Sequence, residues 1–112
     1  MTTTWTVRVT RAAEDDFQHI LRWTVANFGR RQGKIYAKTL SLAISALSRG
    51  PDIPGARRRH EISSAVYSLH VARAGRKGRH FVLFRVSSNA AAPTIEVLRI
   101  LHETMDIERH LS

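Results

Sequence analysis

The apolar residues of this chain change period twice, and that change limits the architecture more than any single motif does. Trp5, Val7 and Val9 alternate with Thr4, Thr6, Arg8 and Thr10, the rhythm of a half-buried strand ending at a residue able to cap a helix. Ala13, Phe17, Ile20, Leu21, Thr24 and Phe28 then fall at three- and four-residue spacing, with Glu14, Asp15 and Asp16 near the start, where the helix dipole favours anions. Asn27, Phe28 and Gly29 read as the end of that helix. Tyr36, Leu40, Ala43, Ile44 and Leu47 carry the same spacing through a second helix, stopped by Gly50 and Pro51. A connection of a few residues between them predicts an antiparallel helical hairpin.

From Gly50 to Ser64 the periodicity disappears, and Pro51, Pro54 and Gly55 punctuate an expected loop holding Arg57, Arg58, Arg59 and His60. Three strand-like runs follow, Val66 to Ala74, His80 to Val86 and Thr94 to Leu101, joined closely enough for two successive hairpins. The order is βααβββ. Past Val97 the last run passes into a polar, helix-like tail with His102, Asp106, Arg109 and His110, in which Ile107 and Leu111 are four apart. Helices adjacent in sequence rather than interleaved with strands predict an α+β fold, the hairpin covering one face of a small, largely antiparallel sheet, with a short C-terminal helical tail.

With 112 residues the chain has the size of one domain, 1–112, with a modest core. It contains no cysteine, so disulfides and thiolate metal sites are ruled out and packing must supply stability. The first residues lack a basic segment followed by a long apolar one, and no apolar run reaches the roughly 20 residues that span a bilayer. The expectation is a soluble, cytoplasmic protein without a membrane partner. Of 18 basic residues 15 are arginine, set against 9 acidic ones, for a formal charge of +9. Arginine's planar fork suits phosphate and carboxylate, which points to a nucleic acid, a ribosome or an acidic protein; solvated surface accounts for the same residues equally well.

Catalytic motifs are sparse. His102 and Asp106 are four apart, but no HExxH pattern and no third ligand accompany them, so neither a metal nor a cofactor is expected. The glycines of GRRQG and GRKG lack the strand-loop-helix context of a phosphate loop and read as turns. Ser63 and Ser64 sit in no nucleophile elbow. No aromatic residue interleaves Arg57 to His60, so base stacking is not indicated there.

Several short features occur in a fixed order: Thr10, Ala12, Asp15 and Asp16; Phe28 and Gly29; Gly78, Arg79 and His80; and the ending Arg99 to His102, Asp106, His110 and Leu111. In this order the chain resembles the ParE branch of the RelE/ParE toxins. The resemblance implies a toxin held inactive by a ParD-like antitoxin whose flexible C-terminal segment wraps it, in a hetero-oligomer. ParE-type toxins trap DNA gyrase on cleaved DNA, whereas RelE-type toxins cut messenger RNA on the ribosome. RelE-like nucleases carry basic residues on the two hairpin strands and a late arginine and tyrosine. Here those positions hold Ser68 and His70, then Arg79 and His80, then Glu103, and no tyrosine follows Tyr67. The expectation is therefore a protein-binding gyrase poison. The alternative is a ribosome-dependent endoribonuclease improvised from His70, His80, Arg85 and His102. In the gyrase reading, target contacts fall on Arg57, Arg58, Arg59, Arg79, His102, Asp106, Arg109 and His110. The antitoxin groove falls on Phe17, Leu21, Tyr36, Leu40, Ile44 and Phe84.

Overall fold

The computed structural model describes residues 4–87 and 92–105. Strand β1 (Thr6–Val9) leads into helices α1 (Arg11–Phe28) and α2 (Arg30–Ala46), a 3-10 turn (Leu47–Arg49), and strands β2 (Ala56–Arg58), β3 (Val66–His70), β4 (His80–Ser87) and β5 (Thr94–His102). Among the described residues the strands form one sheet in the order β1-β5-β4-β3-β2, with β1 parallel to β5 and every other pair antiparallel. The hairpin covers one face, so the α+β expectation holds. The proposed tail from Asp106 onward, with Ile107, Arg109, His110 and Leu111, lies outside the described residues.

Thr10 sets the first turn of the molecule. Its hydroxyl accepts the Ala13 N–H at 3.2 Å and donates to the Leu98 carbonyl at 3.0 Å, while its own N–H reaches the Val97 carbonyl at 3.1 Å. One residue therefore caps α1 and pins it to β5. At the far end the connection is shorter than expected: Gly29 alone, at φ 91°, closes α1 and opens α2. A side chain at Gly33 would sit 2.5 Å from Val25 Cγ2, so this glycine lies inside α2 and lets the two helices approach. GRRQG is therefore a hinge residue followed by a helix, not a turn throughout.

Ala13, Ile20, Leu40, Ala43 and Leu47 of the helical segment meet Leu69, Val82, Phe84, Ile95, Val97 and Ile100 of the sheet in the main core. A smaller cluster on the opposite face joins Val66, Phe81, Leu83 and Leu101, with Ile62 and Leu98 against it. Strand β4 is thus buried on both faces, which is why its sequence HFVLF runs apolar without alternation. Each fully buried Leu or Phe contributes on the order of 2 kcal/mol by removal from water.

Two sequence expectations change here. Within the loop from Gly50 to Ser64, Ala56–Arg58 pairs with β3 as an edge strand, because Ala56, Arg57 and Arg58 lie extended opposite Leu69, Ser68 and Tyr67. The chain after Val66 leaves the sheet at His70 rather than Ala74, since Ala74 and Gly75 take left-handed φ values of 53° and 79° in a tight turn closed by the Arg76 N–H on the Arg73 carbonyl.

Candidate functional site

Where β3 ends, β4 begins and β5 ends, the sheet gathers His70, Arg79, His80, His102 and Glu103 beside Tyr36 of α2. The register places His80 opposite His102 and His70 opposite Phe81. His102 is the last residue of β5, not part of a helical tail as the sequence had indicated.

Glycine makes the corner possible. A Cβ at Gly78 would lie 2.8 Å from the Tyr36 ring and from Val71 Cγ2, so only glycine lets the phenol lie across the start of β4. Burial raises the Tyr36 pKa and keeps the hydroxyl protonated, and its oxygen lies 2.6 Å from His80 Nδ1, within hydrogen-bond reach. Arg76, from the preceding turn, ties the same helix by donating to Thr39 Oγ1 at 2.9 Å and to the Ile35 carbonyl at 3.0 Å.

Two of the three imidazoles share one arrangement. The Ala72 N–H donates to His70 Nδ1 at 3.0 Å, and the Thr104 N–H donates to His102 Nδ1 at 3.3 Å, with the Thr104 hydroxyl 2.8 Å away. A backbone N–H can only donate, so both of these Nδ1 atoms are acceptors. In the neutral rings, assigned from these bonds, the proton sits on Nε2. His70 Nε2 in turn donates to Glu103 at 2.9 Å, and Arg79 Nε lies 3.6 Å from the other Glu103 oxygen. That bond to His70, reinforced by the nearby charges, lowers the Glu103 pKa. His80 is pushed down to about 4, first by burial and then by His102 and His70. Its ring meets that of His102 edge-on at 5.2 Å. At neutral pH this corner holds an uncharged His80 and a carboxylate between His70 and Arg79.

Arg85, expected beside the histidines, is at the other end of β4. There it pairs with Glu96 at 2.7 Å, and Glu96 stands between Arg85 and Arg8 in the register. The arginine run is divided by the pleat. Arg58 donates to the Tyr67 hydroxyl at 2.7 Å and lies over that ring, which stacks on Phe84. Arg59 donates to the buried Ser68 hydroxyl at 2.8 Å and lies over Phe81 on the opposite face. Arg57 is exposed, and the Arg79 side chain is 77% exposed. Of the residues assigned to an antitoxin groove, Leu40 and Phe84 are fully buried in the main core, whereas Phe17, Leu21, Tyr36 and Ile44 are half-buried against it. Leu40 and Phe84 are therefore core residues, not surface ones. Asp106, Arg109 and His110 lie outside the described residues.

Sequence reasoning missed two features. Tyr36 is 44 positions from His80, and no local pattern announces their hydrogen bond. Phe28, placed on the apolar face of α1 by its spacing, is 63% exposed and meets the 57% exposed Trp23 edge-on at 5.7 Å.

The fold has solved counterparts. It matches the chromosomal ParDE toxin–antitoxin system of P. aeruginosa with a TM-score of 0.71 at 19% identity, over 89% of this chain and 97% of that one. It matches the RelBE2 toxin–antitoxin complex of Mycobacterium tuberculosis at 0.58 and 22%, over 88% and 98%, and the YoeB/ParE toxin of Agrobacterium tumefaciens at 0.60 and 16%, over 87% and 96%. Among curated proteins no sequence relative matches. The family model for the ParE toxin of the type II toxin–antitoxin system parDE matches residues 7–107, from within β1 through both helices to beyond the end of β5. The chain belongs to the ParE toxin family.

Proposed function

We propose that this protein is the toxin of a type II toxin–antitoxin pair and acts by binding, with DNA gyrase as its target and a ParD-like antitoxin as its neutralising partner. The observation that carries the binding reading is the state of the three imidazoles. Metal-free RNA cleavage requires a base for the 2′-hydroxyl proton, an acid for the leaving oxygen and cations around the phosphate. Here the Nδ1 lone pairs of His70 and His102 are taken by the chain itself, so those neutral rings offer N–H groups rather than a base. His80, with its pKa at about 4, is not the imidazolium that a general acid would need at neutral pH. The Glu103 carboxylate lies beside Arg79, a cation that a phosphate would need. Exposed Arg57 and Arg79, together with His102, the held Arg58 and Arg59, and the Asp106, Arg109 and His110 segment, form the target-binding set in this reading. The half-buried Phe17, Leu21, Tyr36 and Ile44 take the apolar side chains of the antitoxin.

Expression of the toxin alone should arrest growth with filamentation and a DNA-damage response while messenger RNA stays intact. Purified toxin should stabilise gyrase–DNA cleavage complexes, and His80→Ala should leave that activity within a few-fold of wild type. Site-specific messenger cleavage on translating ribosomes, with gyrase unaffected and His80→Ala inactive, would establish the nuclease alternative instead.

A further inference from the structure

The helical hairpin extends past its last attachment to the sheet. Arg76 bonds α2 at Ile35 and Thr39, and the buried helix residues beyond that tie are Thr24 and Gly33, the latter enclosed by Val25 of the facing helix. Around Gly29 the exposed surface is aromatic and cationic. Trp23 and Phe28 are 57% and 63% exposed with their rings in contact, and between Arg22 and Lys34 the sequence has four cations, Arg22, Arg30, Arg31 and Lys34, and no acid. All four are exposed, and none has an ion-pair partner among the described residues.

This composition runs against what a free helix end favours. The start of α2 has no side-chain cap and no acidic residue in its first turn, yet Arg30 and Arg31 stand at the positive end of its dipole. Two large rings in water cost free energy as well. A second copy of the chain would bring like charges together and cannot relieve this. A polyanion with flat apolar faces relieves both: phosphates meet the cations and unstacked bases meet the rings. Duplex DNA offers the phosphates but keeps its bases stacked inside, and an acidic peptide offers charge without an aromatic face.

We propose that the Gly29 end of the hairpin is a contact site for single-stranded nucleic acid, in which Trp23 and Phe28 stack on bases while Arg22, Arg30, Arg31 and Lys34 hold phosphates. The site uses none of the residues of the histidine corner and does not depend on gyrase being the target. The test is fluorescence anisotropy of an end-labelled oligothymidylate titrated with the full-length protein. Binding should weaken by about 50-fold between about 50 and about 200 mM salt if all four cations neutralise a phosphate of a single strand. Trp23→Ala and Phe28→Ala should each weaken it by about tenfold, with melting curves unchanged, and Arg30→Gln with Arg31→Gln should flatten the salt dependence. Leu42→Ala, which removes an exposed side chain elsewhere on α2, should change nothing. The proposal fails if no binding occurs at low salt or if the aromatic variants bind like wild type. It fails equally if duplex DNA, a polyglutamate peptide or anionic vesicles compete as well as the single strand does.

Discussion

Asp16 and Glu103 are both carboxylates set beside an arginine near the same strand, and they do opposite work. Asp16, its side chain 16% exposed, accepts Arg99 Nε at 2.7 Å, the second Arg99 nitrogen at 2.9 Å and the Ile100 backbone N–H at 2.9 Å. It stands where β1 has ended, one helical turn and a half after Thr10, and there it takes over the edge of β5. Its hydrogen bond holds the Arg99 pKa above the ordinary value. Glu103, 40% exposed, has a single contact of 2.9 Å to His70 and a looser one of 3.6 Å to Arg79. Enclosure and bidentate geometry make the first pair part of the architecture, whereas solvent screens the second and leaves it adjustable.

The largest effect expected from this contrast is that of Asp16→Ala, which should lower the unfolding free energy by about 2–4 kcal/mol, since Arg99 and the Ile100 N–H lose a shared acceptor away from water. Urea unfolding measures it, and a loss under about 0.5 kcal/mol, the usual range of a surface change, would erase the distinction.

The histidine corner sharpens the contrast through pH. Because the folded pKa of His80, about 4, lies below its ordinary 6.5, the unfolded chain binds the proton first as pH falls. The associated stability is complete above about 6.5 and is lost progressively down to about 4. Melting temperatures of wild type and His80→Gln should therefore converge on acidification across that window; parallel curves would show that His80 titrates normally.

The smallest effect is expected of Glu103→Gln, which should not move the urea midpoint measurably at neutral pH. A loss comparable to that of Asp16→Ala would place Glu103 among the structural carboxylates.

The strand and helix order was legible because period is a local property: Thr10, Gly29 and Gly50 each mark a boundary in the residues around them. The short strand β2 was not, for three residues carry no period and are extended only because β3 lies alongside. The candidate site divides in the same way. Gly78, Arg79 and His80 stood out as a motif, but the reason for the glycine is Tyr36, brought in by the packing of α2. Arg85 looked equivalent to His80 because both lie on β4, yet the length of that strand separates them. The Trp23 and Phe28 pair had a signal, cations without acids in RWTVANFGRRQGK, which helical spacing concealed by assigning Phe28 to the buried face.

The position of β5 governs when this toxin comes into being. It is the last of the five strands in chain order, yet it lies between β1 and β4, and it carries the carbonyls that Thr10 needs and the N–H that Asp16 needs. A nascent chain that has not yet released Thr94–His102 lacks the Ile95, Val97 and Ile100 share of the core under its two helices, and its first strand has no neighbour. Contacts between residues more than 80 positions apart must close at the end, so the fold is completed only when β5 is in place. The first strand and the cap of α1 thus wait on the last strand: until β5 is in place, neither has its partner.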